Sequence, residues 1–216
     1  MPGTVLFDLD GTIQDPARGI IGSIRHALST VGVAAPDEAD LHWTIGPPLR
    51  VSFPELGVPT QRIDDALAAY RERYRSGAMF DASVYDGIPA ALTDLAARGH
   101  RLLVATSKPH VFARPILERF GLDHHFAAIH GAELDGRNDD KAHLIASMIE
   151  AHRLAPTNAV MIGDRRFDVL GARANEMSAI GVLWGYGSQQ ELAAAGAHAL
   201  AMAPADIPAL VEALLG

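Results

Sequence analysis

Short apolar runs recur along the chain with helical patterns between them, and this alternation limits the fold more than any other feature. The runs fall at 4–9, 101–106, 126–130, 159–163, 178–183 and 198–202. Apolar residues at helical spacing fill the intervals 88–98, 110–120, 140–153, 166–175, 188–195 and 206–215. A strand that reaches the next strand through a helix enters the sheet in the same direction, so the pairing is parallel and the helices cover both faces. The expected class is α/β, and ligands of such sheets sit outside the carboxyl ends of the strands.

The interval 16–85 breaks the alternation. It reads as helices only, at 17–31, 37–43, 47–56 and 60–76, punctuated by Gly32, Pro36, Gly46-Pro47-Pro48, Gly57 and Pro59. It leaves the sheet after the first strand and returns at Asp86-Gly87, so the expected organisation is a core of 1–15 and 86–216 carrying a helical insert, 16–85. At 216 residues the chain holds one core with a small insert, not two large domains.

Composition excludes several classes. There is no cysteine, which removes disulfides, thiolate zinc sites and cysteine nucleophiles. A formal net charge of −8 repels a phosphate backbone, so no nucleic-acid polymer is expected as a partner. No apolar run approaches the roughly 18 residues of a membrane span, and the start MPGTVLFDLD lacks the basic head of a signal peptide. The expectation is a cytoplasmic protein off the membrane, a monomer or homodimer. Of the 18 basic residues only Lys108 and Lys141 are lysine; codon preference for arginine explains the surface, and the two exceptions become candidates for a site that calls for a compact ammonium in place of a planar guanidinium.

Chemistry gathers at the strand ends. Asp8 and Asp10 stand two positions apart where the first strand ends, followed by the turn signal Gly11-Thr12. A lone pair of this kind is more often a turn or cap, so its company decides. Thr106-Ser107-Lys108-Pro109 follows the strand 101–106 and reads either as a phosphate site at a helix start or as a plain N-cap. Lys141 opens the helix 140–153, where the helix dipole disfavours it. Asp164 and Asp168 follow the strand 159–163. Four acids converging at strand ends need a bound cation as well as lysine, and oxygen ligands without His or Cys suit Mg²⁺.

FDLDGT, the AT-SK stretch, an isolated Lys and MIGDRRFDVLGA, in that order, resemble the four motifs of the haloacid dehalogenase superfamily of phosphatases. DGTIQDP, IGPPL and GVLWGYG further resemble its phosphoglycolate phosphatase-like and 5′-nucleotidase-like branch. The resemblance covers nearly the whole chain. It implies a Rossmann-like core, with residues 16–85 as the small helical cap of the superfamily. Asp8 would be the nucleophile that becomes an aspartyl phosphate, and Asp10 the acid and base for leaving group and water. Thr106 would hold a phosphoryl oxygen, with Gly11, Thr12, Ser107, Lys108 and the cap residue Arg50 as further substrate and phosphate contacts. Lys141 would offset negative charge. Asp8, the Asp10 backbone carbonyl, Asp164 and Asp168 would surround Mg²⁺.

The implied activity is Mg²⁺-dependent hydrolysis of a small phosphorylated metabolite, with 5′-nucleotides or phosphoglycolate foremost. Lys141-Ala142 departs from the Lys-Pro of close relatives. Asp10 argues against dehalogenase chemistry, and a cap without lysine argues against phosphonate cleavage. A phosphosugar mutase would share both aspartates, and a receiver-like module would share Asp, hydroxyl and Lys around Mg²⁺. The receiver reading conflicts with the length of the chain and with Asp10. His124, His125 and His130 read as ordinary residues near a strand edge, Gly185-Tyr186-Gly187-Ser188 lacks the spacing of a dinucleotide loop, and Arg71, Arg73, Tyr74 and Arg75 read as a solvated helix face.

Overall fold

The computed structural model describes residues 2–216. The chain divides into two compact units, one of Met1–Asp15 with Val84–Gly216 and one of Pro16–Ser83.

The first unit is built on β1 (Thr4–Phe7), β4 (Arg101–Pro109), β5 (Ala128–Ala132), β6 (Ala159–Gly163), β7 (Ser178–Val182) and β8 (Ala199–Ala201), in the order β5-β4-β1-β6-β7-β8. Every neighbouring pair is parallel. The sequence explains this arrangement: VLF, LLVA and AVMI are continuous apolar runs, as a strand covered on both faces requires, and all of those residues are buried. Helices α4 (Ile88–Ala97), α5 (His110–Arg119), α6 (Lys141–His152), α7 (Arg166–Ala174), α8 (Gln189–Ala195) and α9 (Ile207–Leu215) connect the strands and lie against the sheet. Leu144, Ile145 and Met148 of α6 meet Val169 and Ala172 of α7 over Leu6, Leu103 and Met161. Full burial of each such large side chain is worth roughly 1.5–3 kcal/mol. Strand β1 is central, and the chain runs outward to β4 and β5 before crossing back to β6. The crevice at the carboxyl end of β1 is thus the switch point of the sheet.

The second unit contains α1 (Ala17–Thr30), a 3₁₀ segment Glu38–Thr44, α2 (Leu49–Glu55) and α3 (Ile63–Arg75). The buried faces of α1 (Ile20, Ile21, Ile24, Ala27, Leu28) and α3 (Ala66, Leu67, Ala69, Tyr70, Tyr74) pack together. Two short strands, β2 (Gln14–Asp15) and β3 (Ser83–Val84), pair with each other.

Several local expectations are corrected. The interval 16–85 is not helices only, because β3 lies within it. Tyr74 does not belong to a solvated face: it is 2% exposed and stacks on Tyr70 with ring centroids 5.3 Å apart. The strand expected to stop at Thr106 continues to Pro109, with its register on β5 shifting between those two residues. The strand expected at 126–130 lies two residues later, because Phe126 leaves the ladder to pack edge-on against Phe7.

Candidate active site

Asp8 is the first residue beyond β1, and its N–H donates to Ile162 O of β6 at 2.9 Å, which pins it between two strands. The chain then turns sharply: the N–H groups of Ile13 and Gln14 both reach Leu9 O, at 2.9 and 3.1 Å, and Gly11 N–H donates to Gln14 O at 2.8 Å. Gly11 has φ +80°, and a Cβ there would stand 2.2 Å from Asp164 Oδ2. Only glycine permits both the turn and the approach of that carboxylate.

Lys141, at the start of α6, is 4% exposed. Its Nζ donates to Asp8 Oδ1 at 3.0 Å and to Ala105 O at 2.8 Å, and it pairs with Asp168 Oδ1 at 2.7 Å. Three acceptors around one nitrogen suit an ammonium and not a guanidinium fork. Asp168 has two jobs, since its other oxygen accepts from Arg165 N–H at 3.1 Å and caps α7. The fully buried Asp164 accepts from Tyr186 N–H at 2.8 Å and faces the Thr12 hydroxyl at 3.5 Å. One oxygen each from Asp8, Asp164 and Asp168 lie within 4.8 Å of one another.

Three buried carboxylates therefore face one directly bonded ammonium. Burial, with the neighbouring Asp168 and Asp8, pushes the Asp164 carboxyl well above its usual range. Burial pushes Asp168 up to about 6, with Lys141 pulling against it and Asp8 adding to it. Burial works against the Lys141 charge, yet Asp168 and Asp8 more than offset it and hold the ammonium protonated. A buried, all-oxygen set with an excess of negative charge fits a hard divalent cation such as Mg²⁺. Asp8, Asp164 and Asp168 are the residues that could hold it.

The Asp10 carboxylate belongs to a separate pair. Its Oδ1 accepts from Gln14 Nε2 at 2.9 Å, and its Oδ2 pairs with Lys108 Nζ at 2.8 Å. The buried Thr106 does not cap α5. Its Oγ1 accepts from Lys108 N–H at 3.1 Å, while Pro109 occupies the cap position without a side-chain bond. Ser107 follows on the same strand extension, half-buried. Arg50 lies in the helical unit on α2, where its guanidinium pairs with Asp64 at 3.0 Å. His130 Nε2 meets His152 Nε2 at 2.7 Å, and among the described residues these imidazoles join no set of three potential ligands.

Two contributors escape sequence reasoning. Gln14 is fully buried against Asp10, and the loop after β7 supplies the Tyr186 N–H to Asp164. The loop has a signal in hindsight: glycine on each side of Tyr186 is the pattern of a backbone pressed against another group.

Comparison with known proteins gives the family. The model of the haloacid dehalogenase-like hydrolases matches residues 5–182. The chain belongs to that family and is an enzyme of its phosphatase kind. It is 46% identical over 211 residues to a 5′-nucleotidase of Pseudomonas aeruginosa, covering 97% of this chain and 94% of the relative. It is 41% identical over 186 residues to the tyrosine-protein kinase PtkA of Mycobacterium tuberculosis, covering 86% of this chain and 64% of the kinase. The crystal structure of a predicted phosphatase from Clostridium acetobutylicum superimposes with a TM-score of 0.91 at 39% identity, over 100% of this chain and 99% of that one.

Proposed function

We propose that the protein is a Mg²⁺-dependent phosphomonoesterase that hydrolyses a small phosphorylated metabolite, a 5′-nucleotide foremost, through a phosphoryl group carried on Asp8. The observation that carries this reading is the split of the acids. Asp8 is tied to Lys141 within a carboxylate trio, whereas Asp10 is held apart by Lys108 and Gln14. A nucleophile and a proton carrier need such different surroundings. In this reading Asp8 attacks phosphorus, the ester oxygen leaves with the proton of Asp10, and Asp10 then takes a proton from the water that hydrolyses the acyl phosphate. Thr106 and Ser107 bind phosphoryl oxygens, and Lys141 keeps Asp8 aligned and offsets charge as it accumulates. The cation, held by Asp8, Asp164 and Asp168, supplies electrostatic stabilisation of the phosphoryl oxygens when bound. Residues 16–83 act as the cap that selects the substrate, Arg50 among its contacts, and the protein works in the cytoplasm.

The likeness to the 5′-nucleotidase supports the nucleotide over phosphoglycolate. The likeness to a kinase favours one second reading, in which the phosphoryl group passes to a hydroxyl acceptor instead of water, as in a mutase. Phosphate release from 5′-nucleotides, phosphoglycolate and sugar phosphates, with Mg²⁺ and with chelator, tests the proposal. Release from nucleotides that chelator abolishes is expected. Chelator-insensitive release refutes the metal role, and transfer to a hydroxyl without free phosphate favours the second reading.

A further inference from the structure

The loop after β7 lies between the buried Asp164 and Asp15, which stands just beyond the FDLDGT motif. Tyr186 N–H donates to Asp164 Oδ2 at 2.8 Å. The glycines on either side press the loop onto the same residue: a Cβ at Gly185 would stand 2.4 Å from Asp164 Cβ, and one at Gly187 would stand 1.9 Å from Asp164 O. Neither glycine position has room for a side chain, so the loop backbone packs directly against Asp164.

The loop is held by side chains that reach the segment 12–15. The Tyr186 hydroxyl donates to Asp15 Oδ1. Trp184 Nε1 donates to Thr12 O at 3.1 Å, and its ring meets Tyr85 edge-on with centroids 6.5 Å apart. Asp15 also has a fixed place, because it ends β2 immediately before the chain leaves the core unit.

We propose that Tyr186 is a positioning residue for the cation site. Its hydroxyl bond to Asp15 fixes the Trp184–Gly187 backbone, and the Tyr186 N–H then fixes the plane of the Asp164 carboxylate toward Asp8 and Asp168. The inference rests on the reading of those three acids as a cation site. Groups that orient metal-binding carboxylates commonly change metal affinity by 10–100-fold. The hydroxyl acts one link further out, so a loss of about 10-fold, at the lower end of that span, is expected.

The test is Mn²⁺ binding to the full-length protein, followed by the electron paramagnetic resonance of free Mn²⁺. This readout is independent of turnover. Tyr186→Phe removes only the hydroxyl and should weaken Mn²⁺ binding by about 10-fold, and Asp15→Ala should do the same. Asp15→Asn keeps an acceptor for the hydroxyl and should bind nearly as the wild type does. The Tyr186 hydroxyl also hydrogen-bonds with Tyr85, so the double variant Tyr186→Phe/Asp15→Ala should lose less than the sum of the two single losses, because both remove the Tyr186–Asp15 bond. Wild-type binding that Tyr186→Phe leaves unchanged overturns the inference alone. So does a loss with Asp15→Asn equal to that with Asp15→Ala, or additive losses in the double variant. Failure of the wild type to bind Mn²⁺ overturns the cation site and this inference together.

Discussion

The two units bury different chemistry. Among the described residues, the buried polar side chains of the helical unit are Ser23, Thr44 and Ser52, and each hydroxyl bonds a carbonyl a turn behind it in its own segment. The core unit buries Asp8, Asp10, Lys108, Lys141, Asp164, Arg165 and Asp168, every one in contact with a partner from elsewhere in the chain. Charges in the helical unit stay at the surface, as in Arg50–Asp64 and Arg62–Asp65. The difference teaches where a change of sequence is tolerated. A surface pair in water contributes little and can be replaced, whereas removal of one member from a buried network strands the rest.

The sharpest way to break the comparison is Lys141→Ala. It leaves Asp8 and Asp168 buried without their ammonium, so a loss of about 3–5 kcal/mol of stability is expected, together with loss of turnover. Denaturant unfolding with and without Mg²⁺ measures it. A variant as stable as the wild type in chelator would show that the network carries no such penalty. Arg50→Ala is the counterpart in the helical unit. Stability should move by less than about 0.5 kcal/mol, because the Arg50–Asp64 pair is exposed, while KM for the preferred substrate rises with kcat little changed. A fall in stability comparable to that of Lys141→Ala would erase the distinction between the units.

The sheet was legible because its strands are continuous apolar runs bounded by turn residues, and a parallel order leaves no other use for such runs. The meeting of Asp8 and Asp164 was legible for a related reason, since parallel strands end at one edge and residues just beyond them converge; Lys141 at the start of α6 and Asp168 in α7 were legible from the motif resemblance. Scarcity of lysine carried real information about Lys141, whose three acceptors leave no room for a fork. The less legible features depend on contacts between distant segments. Nothing in periodicity says that β4 runs on to Pro109, because that extension is stabilised by pairing with Ala132. Gln14 reads as a turn residue until Asp10 is seen beside it, and Tyr186 reads as part of a glycine turn until Asp164 and Asp15 are placed on either side. Tyr74 misleads because three arginines stand near it in sequence, while its own ring is buried and stacks on Tyr70 one turn back.

The central claim is that Asp8 carries the phosphoryl group, and trapping that species is its most direct measurement. The protein is mixed with Mg²⁺ and whichever phosphate ester of the panel it turns over fastest, quenched in acid during turnover, digested and examined by mass spectrometry. The account predicts a phosphoryl adduct on the peptide containing Asp8, absent from the folded but inactive Asp8→Asn variant. An adduct on another residue, or an Asp8→Asn protein that still turns over, contradicts it.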